Sequence, residues 1–142
     1  MGIMRMLTRI IDTNGTIYNE WCDEDETILR MVFEDDWSWM QCFWQMLRAG
    51  VIQRRNKHFL GMIYDLSASD ALPDGVWLVA KLEWIWEPKH WPDTMKRIVV
   101  IGDDPVIDEL FEIREAIAPY TIQYFKRADT LQEAIELIHS WE

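Results

Sequence analysis

Three aspartates stand directly after apolar runs, which makes them the first residues to test for chemistry. Asp65 closes Gly61-Met62-Ile63-Tyr64, and Asp103-Asp104 follow Ile98-Val99-Val100-Ile101-Gly102. Acids at the carboxyl ends of neighbouring strands are hard oxygen ligands, so Asp65, Asp103 and Asp104 could together serve Mg²⁺ or a phosphoryl group. Loop acids that cap helices are the commoner use of the same pattern. Glu83 and Glu87 lie four residues apart, a spacing that is ordinary on a solvated helix face. His58, His90 and His139 are isolated from one another, and Cys22 and Cys42 lack metal-ligand spacing. Neither a glycine-rich phosphate loop nor a nucleophile elbow is present. These residues assign no catalytic group, metal or cofactor, and the expectation is a non-enzymatic protein.

The elements that must position such residues are readable from period and punctuation. Met6–Ile11 and Thr16–Trp21 read as two strands joined through Thr13-Asn14-Gly15, a tight hairpin turn. Thr27–Phe33 is rich in residues that suit a pleated surface. Asp35 or Asp36 could cap a helix with apolar positions Trp37, Met40, Trp44, Leu47 and Val51, ending near Gly50. Gly61–Tyr64 and Ile98–Ile101 are short, wholly apolar strands of the kind buried on both faces. Between them, Pro73 and Asp74 suit the first turn of a second helix that begins at Val76 and is stopped by Pro88 and Pro92. Pro105 opens a third helix with Val106, Leu110, Ile113 and Ile117 inward, and Pro119 closes it. Ile122–Phe125 reads as a strand. Thr130-Leu131-Gln132-Glu133 then forms a capping box for a last helix that turns Leu131, Ala134, Ile135 and Ile138 inward. The order predicts an α/β fold over residues 1–142 as one domain: a two-layer sandwich with an N-terminal hairpin, a mixed sheet with parallel C-terminal strands, and about four helices.

Charge and composition narrow the partners. Acidic residues outnumber basic ones 25 to 14, and the net charge of −11 repels nucleic acid and anionic lipid. Arg48, Arg54, Arg55 and Lys57 form the one basic group, at a predicted helix end where cations offset exposed carbonyls. Each apolar run is broken by charge well short of ~20 residues, so no stable membrane insertion is expected. Arg5 and Arg9 interrupt the opening apolar stretch, unlike a secretory signal. Two cysteines are too few for a disulfide scaffold, and a reducing cytoplasm is the expected setting.

Tryptophan is the sharpest feature, with nine in 142 residues. The first two helices are apolar nearly all round. In the first, Trp39, Phe43 and Met46 flank Trp37, Met40, Trp44 and Leu47. In the second, Trp77 and Trp84 lie on a flank that extends toward Trp91. A helix on a sheet needs one buried face. The remainder, with Trp37, Trp39, Phe43, Trp77, Trp84 and Trp91 as candidate interaction residues, predicts a protein partner, a homodimer contact or a groove for a nonpolar small molecule or lipid. Indoles sunk wholly in the core are the alternative.

Ile63-Tyr64-Asp65-Leu66-Ser67, Val99-Val100-Ile101-Gly102-Asp103, and Phe125 followed by Thr130-Leu131-Gln132-Glu133-Ala134 resemble the STAS-like domains of anti-sigma-factor antagonists, and small bacterial relatives similar in fold to CRAL-TRIO lipid-exchange domains. The resemblance runs from about Thr27 to the end. It implies regulation by protein contact, switched in that family by phosphorylation of a serine in an Asp-Ser-Ser-Gly-Leu motif. Here the matching stretch is Leu72-Pro73-Asp74-Gly75-Val76, which lacks the phosphoacceptor. Asp74 would hold a fixed negative charge at a helix N-terminus, and Ser67 and Ser69 remain as alternative acceptors beside Asp65. Ile98 to Pro105 also looks like the opening of a response-regulator receiver domain. The later phosphoacceptor and lysine strands of such a domain are missing.

Overall fold

Side chains alternate along each strand, and in this chain both sets are apolar over the middle of the sheet. The computed structural model describes residues 10–13, as backbone, together with residues 16–74 and 97–141. Six strands are hydrogen-bonded in chain order: β1 (Ile10–Thr13), β2 (Ile17–Trp21), β3 (Ile28–Phe33), β4 (Gly61–Asp65), β5 (Ile98–Ile101) and β6 (Phe125–Ala128). The first three pair antiparallel and the rest parallel. This is the expected α/β sandwich with a mixed sheet and an N-terminal hairpin. The hairpin turn at Asn14-Gly15 and residues 6–9 lie outside the described residues, as does the whole second helix with its flanks (75–96).

Three α-helices are described: α1 (Trp39–Arg54), α2 (Asp104–Ile117) and α3 (Leu131–His139). Leu29, Met31, Phe33, Met62, Tyr64, Ile98, Val100 and Phe125 form one sheet face, and α1 and α2 pack on it. Ile28, Ile63, Val99, Ile101 and Ala128 form the reverse face, where Ala134 and Ile138 of α3 are buried. β4 and β5 are buried at every position, which accounts for their unbroken apolar sequence. Gly61 lets α3 sit close. A β-carbon there would lie 2.8 Å from Cγ2 of Ile138 and 2.9 Å from the Arg97 carbonyl oxygen.

Several boundaries differ from the sequence reading. Ser38, not Asp35 or Asp36, caps α1: its hydroxyl accepts from the Gln41 N–H while the Gln41 side chain accepts from the Ser38 N–H, a complete capping box. The helix runs through Gly50 to Arg54. The expected strand Ile122–Phe125 is instead a 3₁₀ helix, Pro119–Tyr124, followed by β6. Thr121 stabilises that turn by donating to the Ala118 carbonyl at 2.7 Å and accepting from Nε of the buried Arg114 at 3.0 Å. The Thr130 cap of α3 holds as expected, and Glu133 reaches back to the Asp129 N–H.

Candidate interaction surface

The inward side of α1 is Trp39, Cys42, Gln45, Ala49 and Gln53. Two of these are amides, and both reach into the sheet. Asn19 on β2 donates to Oε1 of Gln45 at 2.9 Å, and Gln45 donates to the Ile17 carbonyl at 3.2 Å. Gln53 contacts the Met62 sulfur at 3.2 Å. Oδ1 of Asn19 and Oε1 of Gln53 are buried without a partner, an unfavourable arrangement in apolar surroundings. The outward side, by contrast, is greasy. Met40 is 48%, Trp44 54% and Val51 45% exposed, with Phe43 and Leu47 half-buried between them. The rings of Phe43 and Trp44 meet edge to face at 5.4 Å. Met40, Trp44, Leu47 and Val51 recur every three or four residues and so form one stripe along the helix.

This reverses part of the sequence reading. Trp37 and Trp39, both named as interaction candidates, are core residues at 4% exposure. They belong to an aromatic run across the helix-covered face. Trp39 meets Trp37 at 5.0 Å, Trp37 meets Phe33 at 4.9 Å, Phe33 meets Tyr64 at 6.2 Å, and Tyr64 meets Phe125 at 6.1 Å. Their indole N–H groups are satisfied, Trp37 donating to the Ser69 hydroxyl at 2.9 Å and Trp39 to the Pro73 carbonyl at 2.6 Å. Phe43 stays at the edge of the outward stripe. Trp77, Trp84 and Trp91 lie outside the described residues. Trp37, Met40 and Trp44 share helical spacing in the sequence, yet Trp37 is buried while Met40 and Trp44 are exposed. Spacing identifies a stripe without saying which way it points.

The acids at the strand ends are engaged with the protein itself. Asp65 and Ile101 are register partners, so Asp65 does share an edge with Asp103 and Asp104. Asp65, however, accepts from Nε of Arg30 at 2.9 Å and also pairs with its Nη2, while its other oxygen accepts from the Ser67 N–H at 3.0 Å and from the Ser67 hydroxyl. Arg30 holds Glu20 as well, at 2.6 Å. Burial pushes the Asp65 carboxyl upward, but the Ser67 hydrogen bonds and then Arg30 outweigh it, leaving the group below its ordinary value. Asp104 pairs with Arg127 at 2.8 Å. Among the described residues no three acids, histidines or cysteines are gathered to hold a metal ion, so the three-aspartate site is not assembled. Of the switch-loop residues, Ser69 is buried and bonded to Trp37 and Ala71, which removes it as an acceptor; Ser67 and Asp74 are exposed.

A cavity of about 20 Å³ lies between α1, α2 and the sheet, lined by Trp39, Cys42, Met46, Tyr64, Leu110 and Arg114 among others. That is room for one water rather than a lipid or drug-sized molecule, which needs roughly 300 Å³ or more. Burial holds the Cys42 thiol and the Tyr64 hydroxyl at about 12, and lowers Arg114 to about 10. The Arg114 guanidinium lies 4.3 Å above the Phe125 ring. Sequence reading placed apolar residues of α2 around this site and missed Arg114, because a lone arginine within a helix gives no signal of burial. A wider, more open crevice of about 650 Å³ lies beyond the carboxyl ends of β3 and β4, lined by Asp35, Asp36, Trp37, Ser69, Asp70 and Pro73 among others.

Comparison with family models, curated proteins and solved structures gave no match. Among the described residues no helix is long and apolar enough to cross a membrane.

Proposed function

We propose that this chain is a non-enzymatic interaction domain that works by contact through the outward face of α1. The observation that carries the reading is Trp44, more than half exposed on a helix that turns Gln45 and Gln53 inward. A helix oriented by burial alone would turn the indole inward and the amides to water. Large rigid rings and thioethers favour binding when a second protein covers them. The chemistry-bearing groups support the same reading. Cys42 and Tyr64 are buried and held protonated, and Asp65 is locked by Arg30 and Ser67. The resemblance to STAS-like domains, which act through protein contact, agrees with it.

A photo-crosslinking residue at position 47, beside Trp44, tests the proposal in cells. Illumination should give a covalent adduct with a protein, and Trp44→Glu in the same chain should abolish it. No adduct, or one indifferent to Trp44→Glu, would overturn the reading.

A further inference from the structure

The loop after β4 is tied down on both sides of the sheet. At its root, Asp65 lies on the reverse face with Ile63, where Arg30 of β3 holds it and also holds Glu20 of β2. The same carboxylate accepts from the Ser67 N–H at 3.0 Å and from the Ser67 hydroxyl. The loop then passes the carboxyl ends of the strands to the helix-covered face. There the Ser69 hydroxyl accepts from the Trp37 indole at 2.9 Å, and the Pro73 carbonyl accepts from the Trp39 indole at 2.6 Å. Those two indoles flank Ser38, the residue that caps α1. The loop and the approach to α1 are also the facing walls of the open crevice.

We infer that residues 66–74 form a strap that couples the Arg30–Asp65 pair on one face of the sheet to the start of α1 on the other. The coupling follows from what it costs to leave each bond unmade. Trp37 and Trp39 are 4% exposed, so an indole N–H that loses its acceptor there has no water to replace it. The strap therefore cannot shift without moving the start of the helix with it. Asp65 is 3% exposed, and a carboxylate so placed stays ionised only while Arg30 and Ser67 hold it. Within the strap the Ser69 N–H donates to the Leu66 carbonyl at 2.9 Å, and the Ser69 hydroxyl donates to the Ala71 carbonyl at 3.1 Å. Leu66 and Leu72 are buried, while Ser67, Ala68, Asp70 and Ala71 are exposed, so between its two apolar anchors the strap is placed by these bonds. A contiguous run of contacts thus leads from Glu20 through Arg30, Asp65 and the strap to the cap of α1. Met40 lies in the first turn beyond that cap, which makes the reverse-face pair an input to the pose of the exposed stripe. The coupling goes beyond the interaction reading and holds whether or not the stripe has a partner.

Hydrogen exchange of the whole chain, followed segment by segment by mass spectrometry, is the test. Asp65→Asn should speed exchange about tenfold in the strap and in the first two turns of α1, as expected when a hydrogen bond to a charged group is lost. α3, which covers the same face as Asp65, should stay near wild type. Ser67→Ala, at an exposed position where folding is not at risk, should give the same pattern at about threefold. Trp39→Phe keeps Asp65, Arg30 and Ser67 and removes the bond to Pro73. It should speed exchange in the strap about fivefold, because coupling between two sites is reciprocal. A rise confined to the strap in both reverse-face variants, a rise in Ser67→Ala that α3 shares equally, or a strap indifferent to Trp39→Phe would overturn the inference. The crosslink at position 47 reads the surface and hydrogen exchange reads the strap, so either can fail without the other.

Discussion

α3 and α1 cover opposite faces of one sheet and follow opposite rules. In α3, Ala134 and Ile138 are buried while Gln132, Glu133 and Glu136 are exposed. Its period, cap and burial agree, as in a helix whose place is decided by one sheet alone. α1 buries two amides and exposes an indole, a thioether and a valine. An element that departs from the burial pattern along its length is answering to something besides its own core. The difference separates a helix that only finishes the fold from one that also presents a surface.

The largest effect should come from breaking the orderly side. Gly61→Ala places a β-carbon against Ile138 and, at 2.9 Å, against a backbone carbonyl that cannot swing away. A loss of about 3 kcal/mol is expected in urea unfolding, at the upper end of overpacking costs. Adding Ile138→Ala should recover none of the stability, because the Arg97 carbonyl contact remains and a buried side chain is also lost. Recovery to wild-type stability would show that α3 is held less closely than its geometry implies.

On the other side, Gln45→Ala should cost about 2 kcal/mol, since it strands the Asn19 amide in an apolar setting. Replacing both partners, Asn19→Leu with Gln45→Leu, should be nearly neutral or better. That outcome would sharpen the comparison, showing that the amide pair fixes which way α1 turns rather than how firmly it is held. The crosslink at position 47 should then weaken in the double variant if the helix rotates.

The reverse face adds a pH-dependent contribution. Asp65 has a folded-state pKa below its ordinary value, so its ionised form stabilises the fold above about pH 4 and that share is lost as acid carries the pH down through the folded-state value. Asp65→Asn should cost about 1–2 kcal/mol at neutral pH, less than breaking a fully buried pair because Arg30 keeps Glu20. It should also flatten the fall in stability below pH 4. An unchanged acid profile would mean that another carboxylate governs it.

Much of the fold was legible because local and global preferences coincide there. β4 and β5 are apolar at every position and are buried at every position, and Thr130 with Glu133 caps α3 as the spacing required. What failed depended on partners distant in sequence. Whether Trp37 or Trp44 lies inward is decided by Ser69, which takes the Trp37 indole N–H, and by Asn19, which draws Gln45 toward β2. The strand expected at Ile122 yields to a 3₁₀ turn because Thr121 bonds both Ala118 and Arg114. The three aspartates were correctly placed on one edge, yet Arg30, on a different strand, claims Asp65. The outward stripe was legible as a surplus of apolar surface, with its direction left open.

The smallest predicted effect sets the two helices against each other through their glycines. Gly61 lies under α3 with no room for a methyl group, whereas Gly50 lies within α1 and a β-carbon there would meet nothing within 4 Å. Glycine in a helix interior costs roughly 0.5–1 kcal/mol relative to alanine, because the unfolded chain is freer. Gly50→Ala should therefore raise stability by about that amount, visible as a higher denaturant midpoint at unchanged slope. The same substitution thus has opposite signs on the two sides of the sheet. A neutral or destabilising Gly50→Ala would mean that α1 needs backbone freedom near this position, and a rigid outward stripe would lose its footing.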